Sequence, residues 1–251
     1  MRVFSFTPTG SAEFLLPPAT EYSTSQRTRS SLVTIAGADG ALDLFGSVSP
    51  YDMQQIQFPF LYLCAKQSDI DNVRLAFSKR GILRVMQQDT TIRQTSFKAT
   101  DIAHMHSFRA KGGYADIVIT GLLYPYWKSL YTKTKVVSSS PTTVITNGTA
   151  NVYDSLQIVF TSAGTTTSIN LSNTTNGYSL AWTGSLSVGQ TLTINVPAMT
   201  VVKTGAVDQY PVTTLGATQI GLFKLAAGNN VITYTLSGSG SFTFTWRDTW
   251  H

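Results

Sequence analysis

Residues 228–246 read Gly-Asn-Asn-Val-Ile-Thr-Tyr-Thr-Leu-Ser-Gly-Ser-Gly-Ser-Phe-Thr-Phe-Thr-Trp. Their alternation decides the fold of the second half of the chain. Ile232, Tyr234 and Leu236 fall on one face of an extended segment, and Phe242, Phe244 and Trp246 on one face of the next. Gly-Asn opens the first run and Ser-Gly-Ser-Gly parts the two. The pattern predicts paired antiparallel strands with one buried face.

The same alternation extends outward in both directions. It predicts strands at 142–146, 152–160, 167–171, 178–183, 191–196, 199–203, 219–225, 230–236 and 241–247, with turns at Asn147-Gly148, Asn176-Gly177 and Val188-Gly189. Short strands at this spacing indicate a β-sandwich or jelly roll. No fixed-period repeat runs through them. The segment 128–141 changes character, with Lys128, Lys133 and Lys135 giving way to Ser138-Ser139-Ser140-Pro141. This places an N-terminal domain at 1–135, a linker at 136–141 and a C-terminal domain at 142–251.

The N-terminal part is β-rich with a single helix. Strands are expected at 32–36, 41–45, 56–64, 82–86, 95–103 and 115–123, with a turn at Gly37-Ala38-Asp39-Gly40. A helix is expected at about 69–80: Ser68 can cap it, Asp71 completes an acidic capping box, and Ile70, Val73 and Phe77 form one stripe. Gly81 is the expected terminator.

Charged residues are 12% of the 251, about half the usual roughly 25% for globular domains. Ser and Thr hold the polar positions instead. Uncharged, hydroxyl-rich faces suit subunit contacts, where desolvating charge is costly. The net charge of +5 lies entirely before Val136, where 15 Lys and Arg face 10 Asp and Glu; three of each follow. The basic residues are scattered, with no run longer than Lys79-Arg80, and point to a solvated or subunit-facing surface rather than a nucleic-acid groove. Cys64 is the single cysteine, expected as a buried free thiol, so no intrachain disulfide can form. The N-terminus lacks the apolar core of a signal peptide and no run is long enough to span a bilayer, which implies synthesis in a cytoplasm and no membrane insertion.

Candidate chemistry is sparse. There is no Gly-x-Ser-x-Gly elbow, and the histidines are His104, His106 and His251. His104 and His106 share a strand face, but no third ligand is near in sequence. The two glutamates, Glu13 and Glu21, both precede residue 30, so a carboxylate pair has no supporting context. The glycine clusters lack the ending of a phosphate loop. No catalytic, cofactor or metal residue is expected. Trp182, Tyr210, Trp246 and Trp250 could stack on sugars, although Trp182 and Trp246 lie in phase with core positions.

The order of these features resembles the distal tail protein family, the siphovirus-type tail component of long flexible-tailed bacteriophages. The resemblance rests on Thr146-Asn147-Gly148-Thr149-Ala150 opening the sandwich, on Leu225-Ala226-Ala227-Gly228-Asn229-Asn230-Val231-Ile232-Thr233, and on the closing Trp246-Arg247-Asp248-Thr249-Trp250. It covers about residue 30 to the end; Ala227 stands where the family often has Pro. Membership implies a β-rich, one-helix N-terminal domain that closes a hexameric ring, with a galectin-like sandwich outside it. Such a ring sits at the virion tail tip, assembled in the bacterial cytoplasm. It joins the tail tube protein to tail-associated, fibre or receptor-binding proteins and lets DNA pass without sequence-specific binding. A basic N-terminal domain, with Arg74, Arg84, Arg93 and Lys98, would then lie near the DNA channel. The rival readings are a carbohydrate-binding module using Trp250 or Tyr210, and a tail-tube type virion protein; an enzyme ranks last.

Overall fold

The computed structural model describes residues 2–17, 20, 23–25, 32–34, 41–43, 54–64, 67–86, 91–107, 113–124, 126–152, 155–204 and 223–250. The expected turn at 37–40, most of the expected strand at 219–225, Tyr210, His251 and the side chains of Cys64 and His106 lie outside the described residues. The chain is mostly β and forms two compact units, Met1–Trp127 and Lys128–His251.

The first unit is built on β1 (Arg2–Pro8), β2 (Phe14–Leu15), β3 (Ser23–Ser25), the hairpin β4 (Leu32–Thr34) and β5 (Ala41–Asp43), β6 (Gln54–Cys64), α1 (Gln67–Phe77), β7 (Gly81–Met86), β8 (Ile92–Ser107) and β9 (Gly113–Leu123). One antiparallel sheet runs in the order β2-β1-β7-β8-β9-β6-β3. Period-2 alternation sends Ile56, Phe58 and Phe60 of β6 and Ile117 and Ile119 of β9 to one buried face. The helix covers that face with the expected stripe Ile70, Val73 and Phe77. Phe77 stacks on Phe6 at 4.6 Å between ring centroids and meets Phe14, Phe58 and Phe97 at 5.7, 6.1 and 6.4 Å. Fully burying one such ring is worth about 1.5–3 kcal/mol.

The helix ends differ from the expected 69–80. Ser68 lies inside the first turn and does not cap it. The last turn closes at Phe77, where the Ser78 amide and hydroxyl donate to the carbonyls of Arg74 and Leu75 at 2.8 Å each. Gly81 opens β7 instead of ending the helix. A Cβ there would collide with the Thr7 carbonyl and the Phe6 ring, so close packing against β1 demands the glycine.

The second unit contains β11 (Lys133–Val137), β12 (Thr142–Thr146), β13 (Gln157–Ser162), β14 (Thr166–Asn173), β15 (Tyr178–Leu186), β16 (Thr191–Asn195), β17 (Thr200–Lys203), β18 (Gly228–Leu236), β19 (Gly240–Trp246) and β20 (Thr249–Trp250); β10 (Trp127–Ser129) spans the boundary in sequence. Two antiparallel sheets, β11-β19-β13-β16-β17 and β12-β18-β14-β15, share one core. Phe160, Leu192, Phe242, Phe244 and Trp246 enter it from the first sheet, and Val144, Leu171, Leu180, Trp182 and Ile232 from the second. The unit is therefore a β-sandwich.

The segment expected as a linker behaves otherwise. Val136 and Val137 pair with Thr243 and Phe242. Val137 is fully buried, which makes 133–137 an edge strand of the sandwich. The expected strand at 152–160 begins at Gln157, and Met199 sits in the turn before β17 at φ 53°.

Candidate functional site

Among the described residues, the candidate side chains form no catalytic constellation. His104 Nδ1 lies 3.2 Å from Arg74 Nη2 on the helix side of the first sheet. Among the described residues no three His, Cys, Asp or Glu side chains gather as metal ligands, and no helix is long and apolar enough to cross a membrane. Trp182 and Trp246 are 6% and 3% exposed and belong to the core, which removes them as sugar platforms. Trp250 is half-buried in β20.

The four basic residues singled out from sequence do not form one surface. Arg74 is on the helix, 3.8 Å from Asp71. Lys98 pairs across the ladder with Leu122, out of phase with the buried Phe97 and Leu123, and so lies on the opposite face of the sheet. Arg84 is held by Glu13, whose carboxylate also accepts from the buried Ser5 hydroxyl. The hydrogen bond from that hydroxyl is the main cause that lowers the Glu13 pKa below its ordinary value; burial opposes it, and the Arg84 charge and hydrogen bond add to the lowering.

The motifs that carry the resemblance meet in space as a joint within the second unit. The Asp248 carboxylate, 4% exposed, takes a 2.6 Å ion pair from Lys133, a 3.1 Å hydrogen bond from the Asn147 amide and a 3.2 Å bond from the Trp246 indole. Beside it the chain passes so close that a Cβ on Gly148 would collide with the Thr249 carbonyl. Ala150 N donates to that same carbonyl at 3.0 Å. Arg247 Nη1 donates to the carbonyls of Ser129 and Leu130 at 3.3 and 3.0 Å. The Asn-Gly-Thr opening and the Trp-Arg-Asp-Thr-Trp ending thus fasten each other.

The Gly-Asn-Asn motif is a second joint. Asn230 is fully buried; its Oδ1 accepts from Ala226 N at 2.7 Å and Asn173 Nδ2 at 2.8 Å, while its Nδ2 donates to the Ala226 carbonyl at 2.9 Å. Asn173, also fully buried, donates to the Lys224 carbonyl at 3.1 Å. Thr146 Oγ1 donates to the Ala226 carbonyl at 2.8 Å and accepts from Gly228 N at 2.9 Å. Gly228 holds φ +84°, a backbone region that costs a side-chain-bearing residue energy. Both buried amides are satisfied, as a stable core requires.

What the second unit offers its surroundings is uncharged area. On the outer face of the five-stranded sheet, cross-strand register aligns Val136, Thr243, Val159, Thr193 and Val202 in one row. Thr134, Thr245, Gln157, Asn195 and Thr200 form a second row. Neither row holds a charge. On the other sheet Thr233-Ser172-Ser179 and Thr235-Asn170-Ala181 align in the same way. In the first unit, the sheet face away from the helix shows Leu61, Leu63 and Tyr114 at 50%, 82% and 40% exposure, with Leu63 directly opposite Tyr114. These faces offer contact area, although on the first unit Asp116 stands directly opposite Leu61.

Residues 147–250 match the protein family described as siphovirus-type tail component, C-terminal domain. The fold is similar to the crystal structure of the SPP1 Dit (gp 19.1) protein, described as a paradigm of the hub adsorption apparatus in phages infecting Gram-positive hosts, with TM-score 0.68, 14% identity and 100% of both chains covered. A search of curated proteins returned no match.

Proposed function

We propose, from the match of residues 147–250 to the siphovirus-type tail component family, that the protein is a structural hub at the distal end of a long flexible phage tail. Six copies close a ring through the first unit, and the second unit is galectin-like. The ring joins the tail tube to tail-associated, fibre or receptor-binding proteins and leaves a passage for DNA. The observation that carries the reading is the full-length likeness to SPP1 Dit, which spans both units.

The physical character of the chain supports it. A cyclic ring needs two different patches on every subunit, repeated around the axis. The Leu61, Leu63 and Tyr114 face of the first sheet is one apolar candidate. The charge-free Val and Thr rows of the sandwich can be covered by a neighbour without desolvating ions. The role is one of assembly, with no turnover.

The test is the mass of the purified protein, alone and with its tail-tube and tail-associated neighbours, by light scattering and negative-stain imaging. A closed ring of six 27.2 kDa chains has a mass of about 163 kDa and six-fold views. A monomer under all these conditions, or open tubes, would refute the proposal.

A further inference from the structure

A groove on the first unit has a chemical character that the hub reading does not use. It lies where β7, β8 and β9 present the sheet face away from the helix. Ile82 and Leu122 form an apolar floor, and Ser96 adds a hydroxyl. Arg80 and Lys98 stand on its walls, brought together by the β7–β8 hairpin. Both are exposed, and neither has an acidic partner among the described residues. Arg74 and Arg84 differ in this respect: Arg74 has Asp71 and Arg84 has Glu13.

We propose that this groove is a peptide-docking site for an extended segment of a partner protein that carries a carboxylate next to an aliphatic or aromatic side chain. The carboxylate would sit between Arg80 and Lys98, where charge-assisted hydrogen bonds are strong, and the neighbouring side chain would cover Ile82 and Leu122. Charge complementarity chooses this occupant. A nucleic-acid strand gains affinity by placing successive phosphates against a line of cations. Here two cations flank an apolar floor that a phosphate line would leave uncovered. A neutral apolar peptide would cover the floor but leave both cations without a counter-charge.

The experiment uses the full chain and fluorescence anisotropy with a labelled Gly-Glu-Leu-Glu-Phe-Gly peptide. Its comparators are the same peptide with lysine in place of glutamate, and a labelled oligothymidylate. The acidic peptide should bind, the basic one should not, and Arg80→Glu and Lys98→Glu should each weaken binding about tenfold. Both positions are exposed, so the unfolding midpoint should not move; Lys98→Arg should retain binding. No preference for the acidic peptide, or tighter binding of oligothymidylate, overturns the proposal. A change in particle mass on Lys98→Glu with unchanged peptide binding also overturns it, because the groove would then be a contact between copies.

Discussion

Replacing Asp248 with alanine tests the joint that closes the sandwich. The carboxylate has three donors: the Trp246 indole and the Asn147 amide on Oδ1, and the Lys133 ammonium on Oδ2. Their losses differ in size. The indole N–H belongs to a residue 3% exposed and would be left without an acceptor, at about 1–3 kcal/mol. Asn147 is exposed, so water can replace the lost acceptor and the loss there is about 0.5–1 kcal/mol. Lys133 is 37% exposed at its side chain and can turn to solvent, so its ion pair contributes about 1 kcal/mol at most. Asp248→Ala should therefore destabilise the second unit by about 2–4 kcal/mol. Asp248→Asn keeps the Oδ1 acceptor and gives up the ion pair, a loss of about 1 kcal/mol. Urea unfolding followed by tryptophan fluorescence, with Trp127→Phe as the common background, reports this unit through Trp182, Trp246 and Trp250, while far-ultraviolet circular dichroism follows the whole chain. If Asp248→Ala lowers stability no more than Asp248→Asn does, the acceptor role given to Oδ1 is wrong.

Gly148→Ala should destabilise the same unit by about 3 kcal/mol, because its Cβ must displace the backbone of Thr249; a thermal midpoint within about 1 °C of wild type would contradict the packing described. Glu13 gives a pH dependence of known sign. Its pKa is lowered in the folded state, so its contribution is present above the ordinary value of 4.5 and lost as pH falls through the lower folded value. Glu13→Gln should thus be less stable than wild type at pH 7, with the two curves converging below pH 4.5 in a melting series; a constant gap would exclude the hydroxyl and guanidinium contacts as the cause. Leu63→Asp, at a side chain 82% exposed, should leave unfolding within about 0.5 kcal/mol of wild type and lower the particle mass; an intact ring would remove that face from the ring contacts.

Much of the fold was legible where alternation is unbroken and one face is buried. Phe242, Phe244 and Trp246, and the helix stripe Ile70, Val73 and Phe77, are all core. The sequence was silent where geometry interrupts the period. A register shift between Val3 and Ser5 breaks the alternation of β1, and another between Ala99 and Asp101 hides the length of β8. β11 reads as polar because it is an edge strand, with Thr134, Lys135 and Val136 exposed and only Val137 fully buried. Asn230 reads as the first residue of an expected strand, and Asn173 falls between the expected strands 167–171 and 178–183. Nothing local shows that the fold draws both into the core, 57 residues apart in sequence. The groove was invisible for a similar reason. Arg80 and Lys98 become neighbours only through the hairpin register.

The first and last strands of the sandwich lie against each other: β11 pairs with β19 along its whole length, and Ser129 N donates to the Asp248 carbonyl at 2.9 Å. A chain emerging from the ribosome cannot finish this unit until residues 240–246 are free, because the opening strand pairs with β19. Pairings of such long sequence separation form slowly. The first unit meanwhile has all its strands in hand and can fold during synthesis. A prematurely terminated product would then carry a finished first unit and an unfinished, sticky second one. The arrangement makes the synthesis of β19 a condition for a well-behaved second unit.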